Sequence, residues 1–403
     1  MASTVRNRDP WLTRERVLAY ATILAVVEMG LFAFCVAGSH GLIVPLDHQP
    51  STDFVSFHAA GALADAGTPW LAYDRVAHHA AEQAAIGMTT AYNYFCYPPV
   101  FLLLCAPLAK LPYLAAFILF QAVGAAACFF ALRLIRRDLP PAVFLAFPAL
   151  WWAIGTGQNA LLTAALFAAG TALLERRPWL AGMCFGALCY KPHFGLLIPV
   201  ALIAGGHWRV ILSASATVLG LIAASIALFG AASWTAFFTA AAASGDVYAA
   251  HAIFMGGLTS PYGVLMTIGA GRETAFAAQA VVTVLCASVV ALVWRCRAPL
   301  PSRAAILLAA TPIAVPVLMF YDLMLVLVAL VWLSRVPTVN PVRHAVTAAV
   351  FLGPLLSGNL TTENHWLLAA ATASAAFGLS LAVVWRSIAT ARPLPMQTVI
   401  GAA

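Results

Sequence analysis

Charge is scarce in this sequence. Asp, Glu, Lys and Arg make up 9% of its 403 residues, where a soluble domain carries about 25%. Lysine occurs only at Lys110 and Lys191, and every other cation is arginine. A soluble protein of this length needs charge to cover its surface, so that class is excluded. No run of like charge is long enough for a nucleic-acid patch, and no nucleic acid is expected as a partner. Asp-x-Asp occurs nowhere, and neither does Gly-x-Gly-x-x-Gly, Gly-Lys-Ser/Thr or Gly-x-Ser-x-Gly. Nucleotide-driven chemistry of the usual kinds therefore has no visible site. None of the eight cysteines is paired at metal-ligand spacing, and Cys184 and Cys189 are five apart. They read as small core residues.

Apolar residues are what the chain has in excess, at 63%. The composition is that of a polytopic membrane protein, an all-α transmembrane helical bundle with the lipid bilayer as its surroundings. Arg14 and Arg16 precede an apolar stretch from Val17 to about Gly38. Its ~22 residues exceed a signal-peptide core, so it reads as an uncleaved first span. Glu28 inside it has two readings, a functional carboxylate or a neutral one bonded between helices. Further apolar segments follow at 98–109, 112–134, 139–155, 158–174, 179–190, 193–204, 209–230, 274–294, 304–320, 323–334, 342–357 and 365–385. The expectation is about 10–13 spans. Several segments fall short of the ~20 residues that cross a bilayer, and those broken at Pro or Gly suggest half-helices that turn inside the protein.

The net charge of +7 sets orientation first. Arginine clusters at 6–16, 133–137, 176–177, 209, 295–303, 335–343 and 386–392 share one face on two conditions. The block 94–134 must make one net crossing, and 179–190 and 193–204 must turn back near Lys191. That face is taken as cytoplasmic. Asp47, Asp53, Asp65, Asp74, Glu82, Asp246 and Glu363 then lie on the other side, with most of the short polar motifs. The expectation is one domain over 1–403 in a plasma or inner membrane, with its chemistry on the extracytoplasmic side.

Residues 39–96 form the one long hydrophilic segment, and loops of that size are usually functional. Two helices are expected in it, Phe54 to Ala66 and about Tyr73 to Ile86, both half apolar as for surface helices. Asp53 reads either as the N-cap of the first or as a general base at the membrane surface, and the two readings are compatible. Of His78, His79 and Glu82 on the second helix, His79 and Glu82 are three apart and could share a face, but they lack a third ligand at a known spacing, so no metal is expected and a solvated helix face is the better reading.

Four segments, taken in order, resemble the polytopic glycosyltransferases of family 87, a branch of the GT-C superfamily. They are Asp53-Phe54 through Phe57-His58-Ala59-Ala60-Gly61 with Gly67-Thr68-Pro69 and Tyr73-Asp74; Tyr97-Pro98-Pro99 with Pro107-Leu108 and Leu111-Pro112; Gly157-Gln158-Asn159 with Arg176-Arg177-Pro178 and Lys191-Pro192; and Thr311-Pro312 with Tyr321-Asp322-Leu323. His58 departs from the family, where many members carry Tyr or another polar residue. The resemblance implies an inverting transferase, mannosyltransferase-like, that takes a sugar from a polyprenyl-phosphate carrier on the extracytoplasmic side. A glycolipid or glycan would be the acceptor, and no cofactor is implied. It also implies that the acidic residue opening the first outer loop, here Asp53, is the catalytic base.

The residues accept this chemistry. A lipid-phosphate sugar carries its own anionic leaving group, which cations and hydrogen-bond donors can neutralise without an Asp-x-Asp metal clamp. Lys191 interrupts an apolar run, where a bare cation costs about 2.5–3.5 kcal/mol. It reads as a phosphate clamp with His193 as helper, or as a lysine snorkelling to the interface. Gln158 and Asn159 read as sugar-hydroxyl partners or as caps of the next helix. Asp322 either pairs with Lys191 or faces the site. His58, Tyr97, His251 and Tyr321 complete the candidate substrate contacts. From other classes, a transporter or flippase of a lipid-linked glycan would also carry broken helices and buried polar residues. A membrane scaffold would not gather polar motifs on one face.

Overall fold

The structure of the chain, a computed structural model, describes residues 13–38, 52–87, 89, 91–249, 255–337, 340–356 and 367–390. Among them the regular elements are all helical, and the β-type contact is an isolated bridge between Leu258 and Met319. Along the chain come α1 (Arg14–Gly38), α2 (Phe54–Asp65), α3 (Arg75–Ile86), α4 (Leu102–Ala109), α5 (Tyr113–Ile135), α6 (Pro141–Leu145), α7 (Pro148–Thr156) and α8 (Ala160–Leu173). Then follow α9 (Pro178–Ala187), α10 (Leu197–Gly205), α11 (Trp208–Ala249), α12 (Pro261–Thr267), α13 (Arg272–Arg295), α14 (Leu300–Ala314), α15 (Met324–Leu333), α16 (Pro341–Leu352) and α17 (Leu367–Thr390).

Five of these are long and apolar enough to cross a membrane: α1, α5, α11, α13 and α17. Six shorter apolar helical stretches of 10–17 residues account for most of the other segments. Proline sets many of their starts, since its fixed φ and missing N–H suit the first turn; α6, α7, α9, α12, α14 and α16 all begin this way. The expected turn at Lys191 is present. The chain leaves α9 through a 3-10 turn at Leu188–Tyr190, and a second at Pro192–Gly195 leads into α10. Gly182 and Gly186 let α9 press on α11; a Cβ on either would lie 2.5 or 2.6 Å from backbone oxygens of Val210 or Ala214. This small-xxx-small contact is how helices approach where water gives no hydrophobic drive.

Helices α14 and α15 run through the middle. All of α15 and residues Ser302 to Ala314 of α14 are buried, as befits helices apolar on every side. Around one end of the bundle the arginines gather. Arg14 reaches Asp138, Arg136 bonds Asp138 and the carbonyl of Ser334, Arg335 donates to the carbonyl of Ile135, and Arg343 donates to that of Leu333. Arg303 pairs there with Glu175 and His207.

The two loop helices are present as α2 and α3, but three expectations about them need correction. The second starts at Arg75, after a 3-10 turn at Pro69–Tyr73, and Asp74 caps it by accepting from the N–H groups of Val76 and Ala77 at 3.0 and 2.8 Å. Asp53 sits at the N-cap position of α2 yet makes no side-chain cap; its backbone is helical there (φ −60°, ψ −16°), which turns the carboxylate elsewhere. The face carrying His78 and Glu82 is not solvated, as both side chains are 0% exposed. It packs on α2 and on the extended segment 91–97: His78 Nε2 meets the carbonyl of Ser56 at 3.1 Å, and the Asn93 N–H donates to both Glu82 oxygens at 3.1 Å. α2 is itself wedged into the bundle, with Phe54 through Gly61 buried. Beyond a bend at Gly230 (φ 74°, ψ 159°), the second half of α11 lies against this loop. Tyr94 donates to the carbonyl of Ala240 at 3.1 Å, and the rings of Tyr73 and Phe237 are 5.8 Å apart.

Candidate active site

The site is built on the turn that ends α7. Gly157 closes the helix with φ 73°, a left-handed conformation that favours glycine. Its bare Cα also lets the start of α2 lie directly on the turn, since a Cβ there would come within 2.8 Å of Phe54 Cβ and 3.1 Å of Thr52 Oγ1. The Asp53 N–H bonds the carbonyl of Thr156 at 2.8 Å. One consequence is that Gln158 Nε2 donates to Asp53 Oδ2 at 2.6 Å, across 105 positions of sequence. Tyr97 donates its hydroxyl to Gln158 Oε1 at 3.3 Å, and Gln121 Nε2 donates to the Gln158 carbonyl at 3.2 Å. The amide of Gln158 is thereby oriented from both ends, and it orients the carboxylate.

An aromatic stack leads from this contact to the second charged group. Tyr97 lies on Phe101 at 4.6 Å and Phe101 on Tyr190 at 5.2 Å, all three buried. Tyr190 is pinned by a 2.7 Å hydrogen bond between its hydroxyl and Thr163. Next to it Lys191 turns inward, 4% exposed, and donates to Asp322 Oδ1 at 3.2 Å. Its ammonium also lies 4.8 Å from the Phe194 ring centroid and 5.9 Å from that of Tyr321. Hydrogen bonds and stacked rings thus run without a break from Asp53 through Gln158, Tyr97 and Phe101 to Tyr190, the residue before Lys191. Asp53 is half-buried, while Cys96 and His193 are exposed, so the cluster opens to the outside on that side.

Helix polarity adds to the picture. α8 begins directly after Asn159, α10 after the Lys191 turn and α15 after the 3-10 turn Phe320–Leu323 that holds Asp322. Their positive dipole ends therefore lie toward this cluster, an arrangement that favours an anion. The Lys191 turn lies about 21 Å of helix from the arginine end, along α9 and its 3-10 turn. α5, with 23 residues, spans about 34 Å from that end to Tyr113, which meets Thr52 at 2.8 Å beside Asp53. Lys191 is thus set deeper than Asp53.

The remaining candidates divide. Asn159 is buried against Tyr97, yet neither end of its amide makes a hydrogen bond of normal geometry. His58 faces the other way from Gln158: its Nε2 meets the carbonyl of Leu111 at 3.0 Å and its ring packs edge-on against Tyr113. His193 stays outside the Lys191 pair, tilted against the ring of Phe194. His251, Asp47 and Glu363 lie outside the described residues. Sequence reasoning missed Gln121, whose signal was a lone amide within an apolar span. It also missed Thr259, Ser260 and Gln279. Thr259 bonds the carbonyl of Pro312 at 2.7 Å, Ser260 that of Pro316 at 2.5 Å and Gln279 those of Ile313 and Ala314 at 3.0 and 3.1 Å. These bonds satisfy carbonyls left open where α14 ends, and so hold the segment that delivers Tyr321 and Asp322.

No curated protein and no solved structure matches the chain. The model of glycosyltransferase family 87 matches residues 95–316. Tyr97, Gln158, Asn159, Lys191 and His193 lie within that stretch, while Asp53, His58, Tyr321 and Asp322 flank it. The match covers more than half of the chain and falls on a bundle of membrane-type helices, and the protein is accordingly a multi-pass membrane glycosyltransferase belonging to family 87.

Proposed function

We propose that the protein transfers a hexose, mannose foremost, from a polyprenyl-phosphate carrier to a hydroxyl of a glycolipid or glycan on the extracytoplasmic side. The sugar is inverted at its anomeric carbon, and the whole of 1–403 works as one unit. The observation that carries this reading is the run of hydrogen bonds and stacked rings that joins an amide-oriented carboxylate, Asp53, to the turn bearing a buried ammonium, Lys191, at the end of the bundle opposite the arginines.

Asp53 takes the proton as the acceptor oxygen forms its bond to the anomeric carbon, and the bond from that carbon to the phosphate oxygen breaks. The electron pair leaves with the polyprenyl phosphate. This is the base half of an inverting carboxylate pair; the departing phosphate needs no proton, only neutralisation. Lys191 supplies part of that. Asp322 holds one of its three N–H donors, which leaves two for phosphate oxygens, and the N-termini of α8, α10 and α15 add their dipoles. Gln158 and Tyr97 hold the base in place, and Asn159 stands ready for a sugar hydroxyl.

The test is radiolabelled sugar transfer by the purified protein from polyprenyl-phosphate mannose, with nucleotide mannose as comparison. Asp53→Asn keeps a hydrogen-bond acceptor for Gln158 Nε2 and removes the base. It should keep the melting temperature and donor binding close to wild type and cut turnover by about 10²–10⁴-fold. Retention of more than about a tenth of turnover would show that Asp53 is not the base. Transfer from the nucleotide sugar alone would overturn the donor assignment.

A further inference from the structure

At the opposite end of the molecule lies a cleft of about 450 Å³ whose walls include Arg136, Arg137, Arg176 and Arg335, with Asp138 and the apolar Leu134. Three separate parts of the chain meet there: the end of α5, the turn after α8 and the turn after α15. Two of the guanidinium groups hold the walls together. Arg136 donates to Asp138 at 3.1 Å and to the carbonyl of Ser334 at 3.5 Å, and Arg335 donates to the carbonyl of Ile135 at 3.0 Å. The one carboxylate is already shared, since Asp138 also faces Arg14 at 3.8 Å. The guanidinium groups of Arg137 and Arg176 have no acceptor among the described residues, and both are exposed.

We propose that this cleft is a binding site for the headgroup of an anionic phospholipid in the leaflet that the arginine end faces. Orientation alone asks only that cations lie in the loops, in any geometry. Here they converge on one concavity, four against a single carboxylate that is already occupied. Arginine forks match phosphate oxygens in pairs, and basic pockets between membrane helices are where such headgroups sit. Leu134, 51% exposed on the last turn of α5, gives the adjoining acyl chain an apolar wall. A free phosphate would use the arginines and have no use for that wall. The site is distinct from the glycosyltransferase site, because the length of α5, about 34 Å, separates it from Tyr113 and Asp53.

The full-length protein in zwitterionic detergent tests this with three probes: phosphatidylglycerol, phosphatidylcholine and inorganic phosphate. Phosphatidylglycerol should be retained in native mass spectra and should raise the melting temperature, and phosphatidylcholine should do neither. The double variant Arg137→Gln/Arg176→Gln should weaken phosphatidylglycerol binding about 30-fold, from roughly 1 kcal/mol per interfacial arginine. Arg295→Gln/Arg297→Gln, on the same face and outside the cleft, should keep most of it. Equal losses from the two double variants would mean general leaflet attraction and would overturn the site. Inorganic phosphate displacing the lipid at comparable concentration would overturn the lipid assignment. Basal sugar transfer in detergent should persist in Arg137→Gln/Arg176→Gln, since neither residue touches the Asp53 cluster.

Discussion

A buried ammonium with a carboxylate partner answers to two different losses, and Lys191 is such a group. Removing it alone leaves Asp322, 3% exposed, without its counter-charge, and breaking a buried pair from one side costs about 3–5 kcal/mol. Replacing both members with apolar residues of similar volume is often neutral or better. Lys191→Met should therefore lower the melting temperature as well as donor binding, while Lys191→Met/Asp322→Leu should recover the temperature and remain unable to hold the donor phosphate. Both are read from thermal unfolding and donor titration. Donor binding that recovers together with stability would reduce the pair to a structural one. Asp53 shows the residue-level limit of sequence reading. Its place before an apolar helix was legible, but the backbone dihedral that turns its carboxylate to Gln158 instead of the helix end depends on Gly157, more than a hundred positions away.

Among the elements, α3 carries a pH-dependent contact. Burial raises the Glu82 carboxyl from 4.5 to about 8, opposed by the Asn93 N–H and reinforced by nearby Asp53. Burial also lowers the His78 imidazole from 6.5 to about 4. The two oppose each other. The folded protein holds the Glu82 proton more tightly than the unfolded chain, so stability falls as pH rises through 4.5 to 8. It binds a His78 proton less readily, so stability falls as pH drops through 6.5 to 4. Between 4.5 and 6.5 these trends offset; from about 6.5 to 8 only the Glu82 trend remains. The melting temperature should decline over that upper window, and Glu82→Gln, neutral throughout, should flatten the decline. An unchanged slope in the variant would assign it to another group. The reading of this face as solvated failed for a definite reason. Polar residues four apart on an amphipathic helix look alike whether they meet water or the backbone of another segment, and the segment 91–97 that covers them has no periodicity of its own. The half-helices, by contrast, were legible, because Pro and Gly breaks in apolar runs carry the same meaning wherever the runs pack.

For the molecule as a whole, the arginine clusters told most. Those at Arg14, Arg136, Arg303, Arg335 and Arg343 do converge at one end, since cations near the ends of membrane helices have few other places to go. The span number was less legible. Hydropathy marks apolar stretches alike, and among the described residues five helices have the length and composition to cross; of the short ones, α14 and α15 are apolar because they are buried on every side, while α9 and α10 leave Trp179, Met183 and Ile203 exposed.

The Lys191 bridge has a consequence in time. Its partner lies 131 residues further along the chain, and at about 5–20 residues per second of synthesis the lysine waits roughly 7 to 26 s for it. Throughout that interval an ammonium sits in an apolar hairpin with nothing to neutralise it. The pair α9–α10 is therefore held in the bilayer by its glycine contact with α11, completed within seconds, before its charge is settled. A chain stopped after Ala314 would keep the lysine waiting indefinitely. It should be cleared from membranes faster than the same truncation carrying Lys191→Met, in a pulse-chase of the two; equal lifetimes would mean that the hairpin tolerates its unpaired charge. Late synthesis thus sets the fate of a helix pair made much earlier.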